Sequence, residues 1–147
     1  METMIATIAL TFTPLMLTVV VHYEALSGLS RILQKSTIQS RPKVLVVVFG
    51  VITAHFTEIT IYALTYWIAD AGLNIGDFGG NRAVNFADYL FFSAETFSTL
   101  GIGDIFPLGM MRLIASLESL NGIVLIGWST SFTYLTMSHY WAGNSLE

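Results

Sequence analysis

Residues 99–104 read Thr-Leu-Gly-Ile-Gly-Asp, two glycines at alternating positions followed by a carboxylate. Glycine enters backbone angles that a Cβ forbids, so such a strand-like run can turn successive carbonyls to one side. Several copies around an axis would stack carbonyl oxygens into rings that replace the hydration shell of a cation. The Thr99 hydroxyl would add a further ring at the inner end. A Gly-x-Gly alone is equally compatible with an ordinary turn at a membrane surface; its surroundings decide. The preceding stretch, Phe86 to Leu100, is apolar but carries Asp88, Ser93, Glu95, Thr96, Ser98 and Thr99. A helix of about 12 residues covers about 18 Å, too little for a bilayer core of about 30 Å. It must enter and return, or lie at the interface, and a re-entrant backbone needs protein or water to satisfy it. Its C-terminal end would direct negative dipole toward the glycines, which favours a cation there.

Other residues could do chemistry inside apolar segments. Glu58 follows His55 by three residues, so both lie on one helical face. Glu118 lies in a third apolar stretch, and Glu24 lies beside His22 near the end of the first. An ionisable group at membrane depth is costly and is by default a functional-site hypothesis. His22, Glu24, His55, Glu58 and Glu118 could form a protonatable cluster suited to gating by pH. They could equally form a structural polar network joining the first helix to the rest, and that reading is favoured. Glu118 could instead face a cavity and enrich cations there. The histidines, at 22, 55 and 139, are too scattered to suggest a zinc motif, and there is no cysteine to supply a thiolate. No resident metal or organic cofactor is expected.

Three long elements must position these groups. Stretches from about Met4 to Leu26, Val44 to Ala69 and Leu108 to Met137 each exceed the roughly 20 apolar residues that span a bilayer. Only 11% of the 147 residues are charged, against about 25% in a soluble domain, and 54% are hydrophobic. That excludes a disordered chain, and the net charge of −4 leaves no basic patch for nucleic acid. The first stretch has no basic leader and no small-residue cleavage site, and Pro14 sits in its middle, so it reads as a retained, kinked helix. Arg31, Lys35, Arg41 and Lys43, four of the six basic residues, fall between the first two spans. The positive-inside rule puts that connection and the C-terminus in the cytoplasm and the N-terminus outside, in the inner (plasma) membrane. Tyr66 with Trp67, and Tyr140 with Trp141, sit at span ends as an aromatic belt would. The third stretch carries Glu118, Ser119, Asn121, Ser129, Thr130, Ser131 and Thr133. A face lining a wet pore is favoured for them over helix–helix glue.

The order of short helix, Thr-x-Gly-x-Gly-Asp, proline three residues on and then a long helix is specific. From Phe92 to Pro107, Phe-Ser-Ala-Glu-Thr-Phe-Ser-Thr-Leu-Gly-Ile-Gly-Asp-Ile-Phe-Pro, the sequence resembles the potassium channel pore family, in particular its small bacterial two-helix members. The resemblance implies an all-α membrane protein. The first apolar stretch and its basic loop lie outside the resemblance; with them the chain would have three transmembrane helices, a re-entrant pore helix and a selectivity-filter loop, and would assemble as a homotetramer in the lipid bilayer. The parts are an extra N-terminal helix at 1–27, a basic cytoplasmic loop at 28–43 and a pore domain at 44–140, with a tail at 141–147. Within the pore domain lie an outer helix at 44–69, an extracellular loop at 70–85, a pore helix at 86–98, the filter at 99–104 and an inner helix at 108–138. It implies K+ coordinated by carbonyls of Thr99, Leu100, Gly101 and Ile102, with Gly103 completing the filter. Glu95 and Asp104 would share a proton or a water behind it. Gly122 would match the hinge glycine, and Ile123, Ile126, Thr130, Ser131 and Tyr134 would line the inner cavity. For Gly122, as for Gly127, a close-packing role carries equal weight. Where the family usually has Tyr or Phe, this chain has Ile102, whose side chain cannot hydrogen-bond.

The expected function is therefore a tetrameric cation channel with potassium preference. The alternatives are a weakly selective or non-selective cation channel, an accessory membrane subunit, or an intramembrane enzyme. An enzyme is disfavoured: Gly101-Ile102-Gly103-Asp104 spells the GxGD of an aspartyl protease, but no second Asp lies within the other spans. No helix repeats Arg or Lys at every third position, so a voltage sensor is not expected. Opening would then depend on the filter, the helix bundle, lipid, pH or a separate gating partner.

Overall fold

The computed structural model describes residues 2–37, 39–80 and 85–142. Four α-helices carry the fold: α1 (Glu2–Lys35), α2 (Ser40–Trp67), α3 (Phe86–Phe97) and α4 (Met111–Ala142). Three helical stretches, Ile8–Lys35, Pro42–Gly72 and Met111–Trp141, are long and apolar enough to cross a membrane. The chain is an all-α membrane protein of the multi-pass kind, its one departure among the described residues being a short two-stranded ribbon.

Several boundaries differ from those expected. α1 runs on through Pro14 and past residue 27 to Lys35, so Arg31 and Lys35 stand on a helix and little of 28–43 is loop. Apolar residues continue past Leu26, with Leu29 and Leu33 packed against Val47 and Val51 of α2, and that burial keeps the helix going. Between residues 70 and 85, α2 first passes into a wider helical turn, Ile68–Gly72. Strand β1 (Asp77–Gly80) follows and pairs antiparallel with β2 (Ile105–Leu108), Phe78 facing Pro107. Leu108 therefore belongs to β2, and α4 starts three residues later. Arg82 and the last five residues lie outside the described residues.

The outside of the bundle is apolar and the inside holds much of the polarity, the reverse of a soluble domain. Phe12, Met16, Val20, Phe49, Ile52 and Phe56 are all about half exposed or more, as suits side chains whose solvent is lipid. Inside, Asn121 Nδ2 on α4 donates to Thr18 Oγ1 of α1 at 2.7 Å and to Tyr62 OH of α2 at 3.2 Å. One buried amide thus ties three helices together where water cannot compete. At the other end, Tyr66, Phe78, Tyr89 and Phe92 meet edge to face, with centroids 4.9 Å apart for Phe78–Phe92 and 5.0 Å for Tyr66–Phe92. Such pairs add about 0.5–1.5 kcal/mol beyond their area, and they pin the ribbon to α2 and α3. Tyr66 is fully buried here, so it is core and not part of an aromatic belt.

Candidate functional site

Helix α3 is short because both ends are capped. Asn85 accepts the Ala87 N–H at 2.8 Å, and Asp88 accepts the Asn85 N–H at 3.1 Å, a reciprocal capping box. Asp88 therefore also places its carboxylate at the positive end of the helix. At the other end Ser98 closes the helix and Thr99 takes φ +60°.

From Thr99 the backbone alternates in hand. Thr99, Gly101 and Gly103 have φ of +60°, +58° and +82°, and Leu100 and Ile102 between them do not have positive φ. The run is thus not the regular strand its spacing had suggested; positive φ recurs at every second residue. Glycine takes such angles at little cost; Thr99 does so at roughly 1–2 kcal/mol, strain of the kind that collects at functional sites.

The N–H groups of this run turn toward one residue. Leu100 N–H and Gly101 N–H donate to the main-chain carbonyl of Glu95 at 2.8 and 3.3 Å, and Ile102 N–H donates to the Glu95 carboxylate at 2.9 Å. Across a planar trans peptide the carbonyl points opposite to the next N–H. The carbonyls of Thr99, Leu100 and Gly101 therefore face away from α3, side by side. Ile102 cannot be braced through its side chain, as the sequence indicates; its backbone is held by Glu95 instead. The side chains of Leu100 and Ile102 line a cleft of about 360 Å³ together with Glu95 and Asp104. Glu95 and Asp104 share that cleft; among the described residues no hydrogen bond joins them directly, and Asp104 Oδ1 accepts from Ile105 N–H at 3.0 Å.

The helix behind this loop is anchored on both sides. Ser93 Oγ on α3 lies 2.9 Å from the Ile59 carbonyl oxygen of α2 and 2.5 Å from a Glu118 carboxyl oxygen of α4, its one hydrogen shared between the two acceptors. Tyr66 OH also donates to Glu118. Glu118 is fully buried among these groups, so it neither faces a cavity nor joins the histidines. Gly122 lies against the end of α3, where a Cβ would overlap the Phe97 carbonyl. Close packing is therefore its structural role.

The expected polar cluster divides. His22, His55 and Glu58 meet: His22 Nδ1 and Glu58 Oε1 are 2.7 Å apart, His55 Nδ1 and Glu58 Oε2 2.8 Å. Glu24 does not join them. It lies on the exposed face of α1, 4.0 Å from Arg31, a distance at which an exposed pair contributes little. Arg112 forms no ion pair among the described residues, with Asp104 or any other carboxylate.

The polar groups of α4 also divide. Glu118, Asn121 and Ser129 are buried within the chain and serve as interhelical glue, contrary to the pore-face reading. Ile123, Ile126, Thr130, Ser131 and Tyr134 are exposed, and Ile126, Thr130 and Tyr134 border a groove whose other wall is Val48, Val51, Ile52 and His55 of α2. Sequence reasoning missed Tyr66 and Ser93 as partners of Glu118. Their spacing carries no motif, and only the signal that a buried carboxylate must find donors could have pointed to them.

The family model for ion channels matches residues 43–138 of this chain. No curated protein and no solved structure matches it.

Proposed function

This chain belongs to that ion-channel family, the two-helix potassium-channel pores its filter motif resembles, and from that premise we propose that it is a potassium-selective pore working as a homotetramer. The observation that carries the reading is the one-sided display of the Thr99, Leu100 and Gly101 carbonyls, with their N–H groups held by Glu95. A single chain supplies one quarter of a carbonyl cage. Four chains around an axis would stack rings from Thr99, Leu100, Gly101 and Ile102, with Gly103 at the mouth, and exchange water for carbonyl oxygen around a dehydrating cation.

The exposed stripe Ile123, Ile126, Thr130, Ser131 and Tyr134 would line the inner cavity. The basic residues Arg31, Lys35, Arg41 and Lys43 orient that cavity toward the cytoplasm, with the N-terminus outside, in the cell's inner membrane. The extra helix α1 packs outside the pore unit through Thr18, His22 and Leu29. No resident cofactor enters this reading, only permeant K+.

Flux from liposomes holding the purified chain tests it, with a potassium gradient and then a sodium gradient. Potassium flux well above sodium flux is expected. Equal fluxes would keep the pore and refute the selectivity, leaving a non-selective cation channel with Ile102 as the departure responsible. Absence of flux for either ion would point to an accessory subunit. An unaltered flux in Gly103→Ala, which forces a side chain onto φ +82°, would overturn the filter assignment itself.

A further inference from the structure

We propose that His22, His55 and Glu58 form a binding site for a divalent transition-metal ion of the zinc class, set inside the helical bundle and bridging α1 to α2. The three residues bring one donor atom each to within 4.8 Å of the others. His22 and Glu58 are fully buried, and the His55 side chain is 18% exposed. Two imidazoles with one carboxylate suit zinc and its neighbours far better than calcium or magnesium, which take oxygen alone. Three protein donors leave one position open for a water or a further ligand.

The fit needs a small rearrangement of the two imidazoles, because the three donor atoms now spread over as much as 4.8 Å. A tetrahedral ion with bonds of 2.0–2.1 Å holds its donors about 3.3 Å apart. Each imidazole therefore withdraws from the carboxylate by about half an ångström, and the ion takes the space between them. The outer partner is already present. His22 Nε2 lies 3.3 Å from Ser129 Oγ on α4, the kind of contact that fixes the tautomer and orientation of a ligating histidine. When Nε2 carries the proton and donates to Ser129, the Nδ1 lone pair faces a carboxylate. That arrangement is favourable only with a cation between them.

Charge points the same way. Buried Glu118 meets only hydroxyls, whereas the groups paired with Glu58 among the described residues are two imidazoles, cations when protonated and metal ligands when neutral. One shared proton would neutralise the carboxylate; one divalent ion engages all three groups at once. An entry path exists, because His55 and Ser129 both line a groove of about 460 Å³ between α2 and α4. The sequence separation of His22 and His55 hides this site from motif reading; the antiparallel packing of α1 on α2 creates it. Bound metal would clamp α1, which contributes nothing to the Thr99–Asp104 run, onto α2. The His55 ring in turn lies 5.7 Å from that of Phe97 at the end of α3.

The test is metal content and does not depend on conduction. The purified full chain in detergent is equilibrated with zinc, freed of excess by gel filtration and assayed by elemental analysis. Roughly one zinc per chain is expected, as for a built site, and cobalt in its place should show the visible absorption of a tetrahedral ion. Retention in His139→Ala is expected, since His139 is exposed on α4 far along the chain from the triad. His22→Asn, His55→Asn and Glu58→Gln should each lose the metal, and Ser129→Ala should weaken it by about 10- to 100-fold. Wild-type chain that retains no zinc overturns the proposal and leaves a proton-sharing triad. Zinc retained undiminished by Glu58→Gln overturns it as well. The wild-type measurement decides even where a variant fails to fold.

Discussion

Two glycines in α4, five residues apart, should respond oppositely to the same substitution. At Gly122 a Cβ would overlap the main-chain carbonyl of Phe97; at Gly127 it would meet nothing within 4 Å. Replacing glycine by alanine within a helix is worth up to about 1 kcal/mol in its favour. Gly127→Ala should therefore raise stability by something approaching that amount. Gly122→Ala gains the same term and loses more. Overpacking costs about 1–3 kcal/mol, and here the obstacle is backbone, which cannot rotate aside as a side chain can, so the upper part of that range, about 2–3 kcal/mol, applies. The net for Gly122→Ala is a loss of about 1–2 kcal/mol, so its melting temperature should fall by about 2–8 °C at the 2–4 °C per kcal/mol of a chain this size. Thermal unfolding of the purified chain in detergent, followed by circular dichroism, measures both variants against wild type. The strain falls on the last residue of α3, two residues before the carbonyl run, so potassium flux in liposomes should drop for Gly122→Ala and hold for Gly127→Ala. If Gly122 acted as a flexible hinge, its alanine variant would be stabilised like that of Gly127 and altered only in gating. A Gly122→Ala chain as stable as wild type would refute the close-packing argument.

Three further outcomes follow from the same geometry. Glu95→Ala removes the acceptor of the Ile102 N–H, a bond to a charged group worth about 1.5–3 kcal/mol; potassium-over-sodium flux ratios should fall. Glu95→Gln retains an acceptor oxygen and should preserve most of the ratio, and equal loss in both variants would count against the brace. Tyr66→Phe deletes one of the two hydroxyls that reach Glu118 and should destabilise the chain by about 1–3 kcal/mol in chemical or thermal unfolding, the cost of leaving a buried acceptor short of a partner. Asn121→Ala leaves Thr18 and Tyr62 without their shared donor; proteolysis that releases α1 should become faster, and an unchanged cleavage rate would show that apolar contacts alone hold α1.

Much of this protein is written in local chemistry. Apolar length alone determines three membrane-crossing helices, because a bilayer of about 30 Å accepts nothing shorter. Gly101 and Gly103 after a helix too short to cross mark a run whose backbone can take angles closed to other residues, but the alternation of positive φ there, Thr99 included, was seen only in the structure. Asn85 and Asp88 mark the start of α3 through caps that act within four residues. What the sequence could not determine is which polar groups meet. Glu58, Glu118 and Glu24 look alike as carboxylates in or beside apolar helices, yet one lies between two imidazoles, one between Tyr66 and Ser93, and one on the exposed face. Asn121 and Ser129 share a helix with Thr130 and Ser131 but face inward. A residue's type and period place it on a helix; its partners depend on how that helix is rotated and crossed against others, a property of packing between segments distant in sequence. Tertiary structure therefore decided that Glu95 holds the backbone of Ile102, that Gly122 is required by the approach of α4 to Phe97, and that His22 stands beside His55.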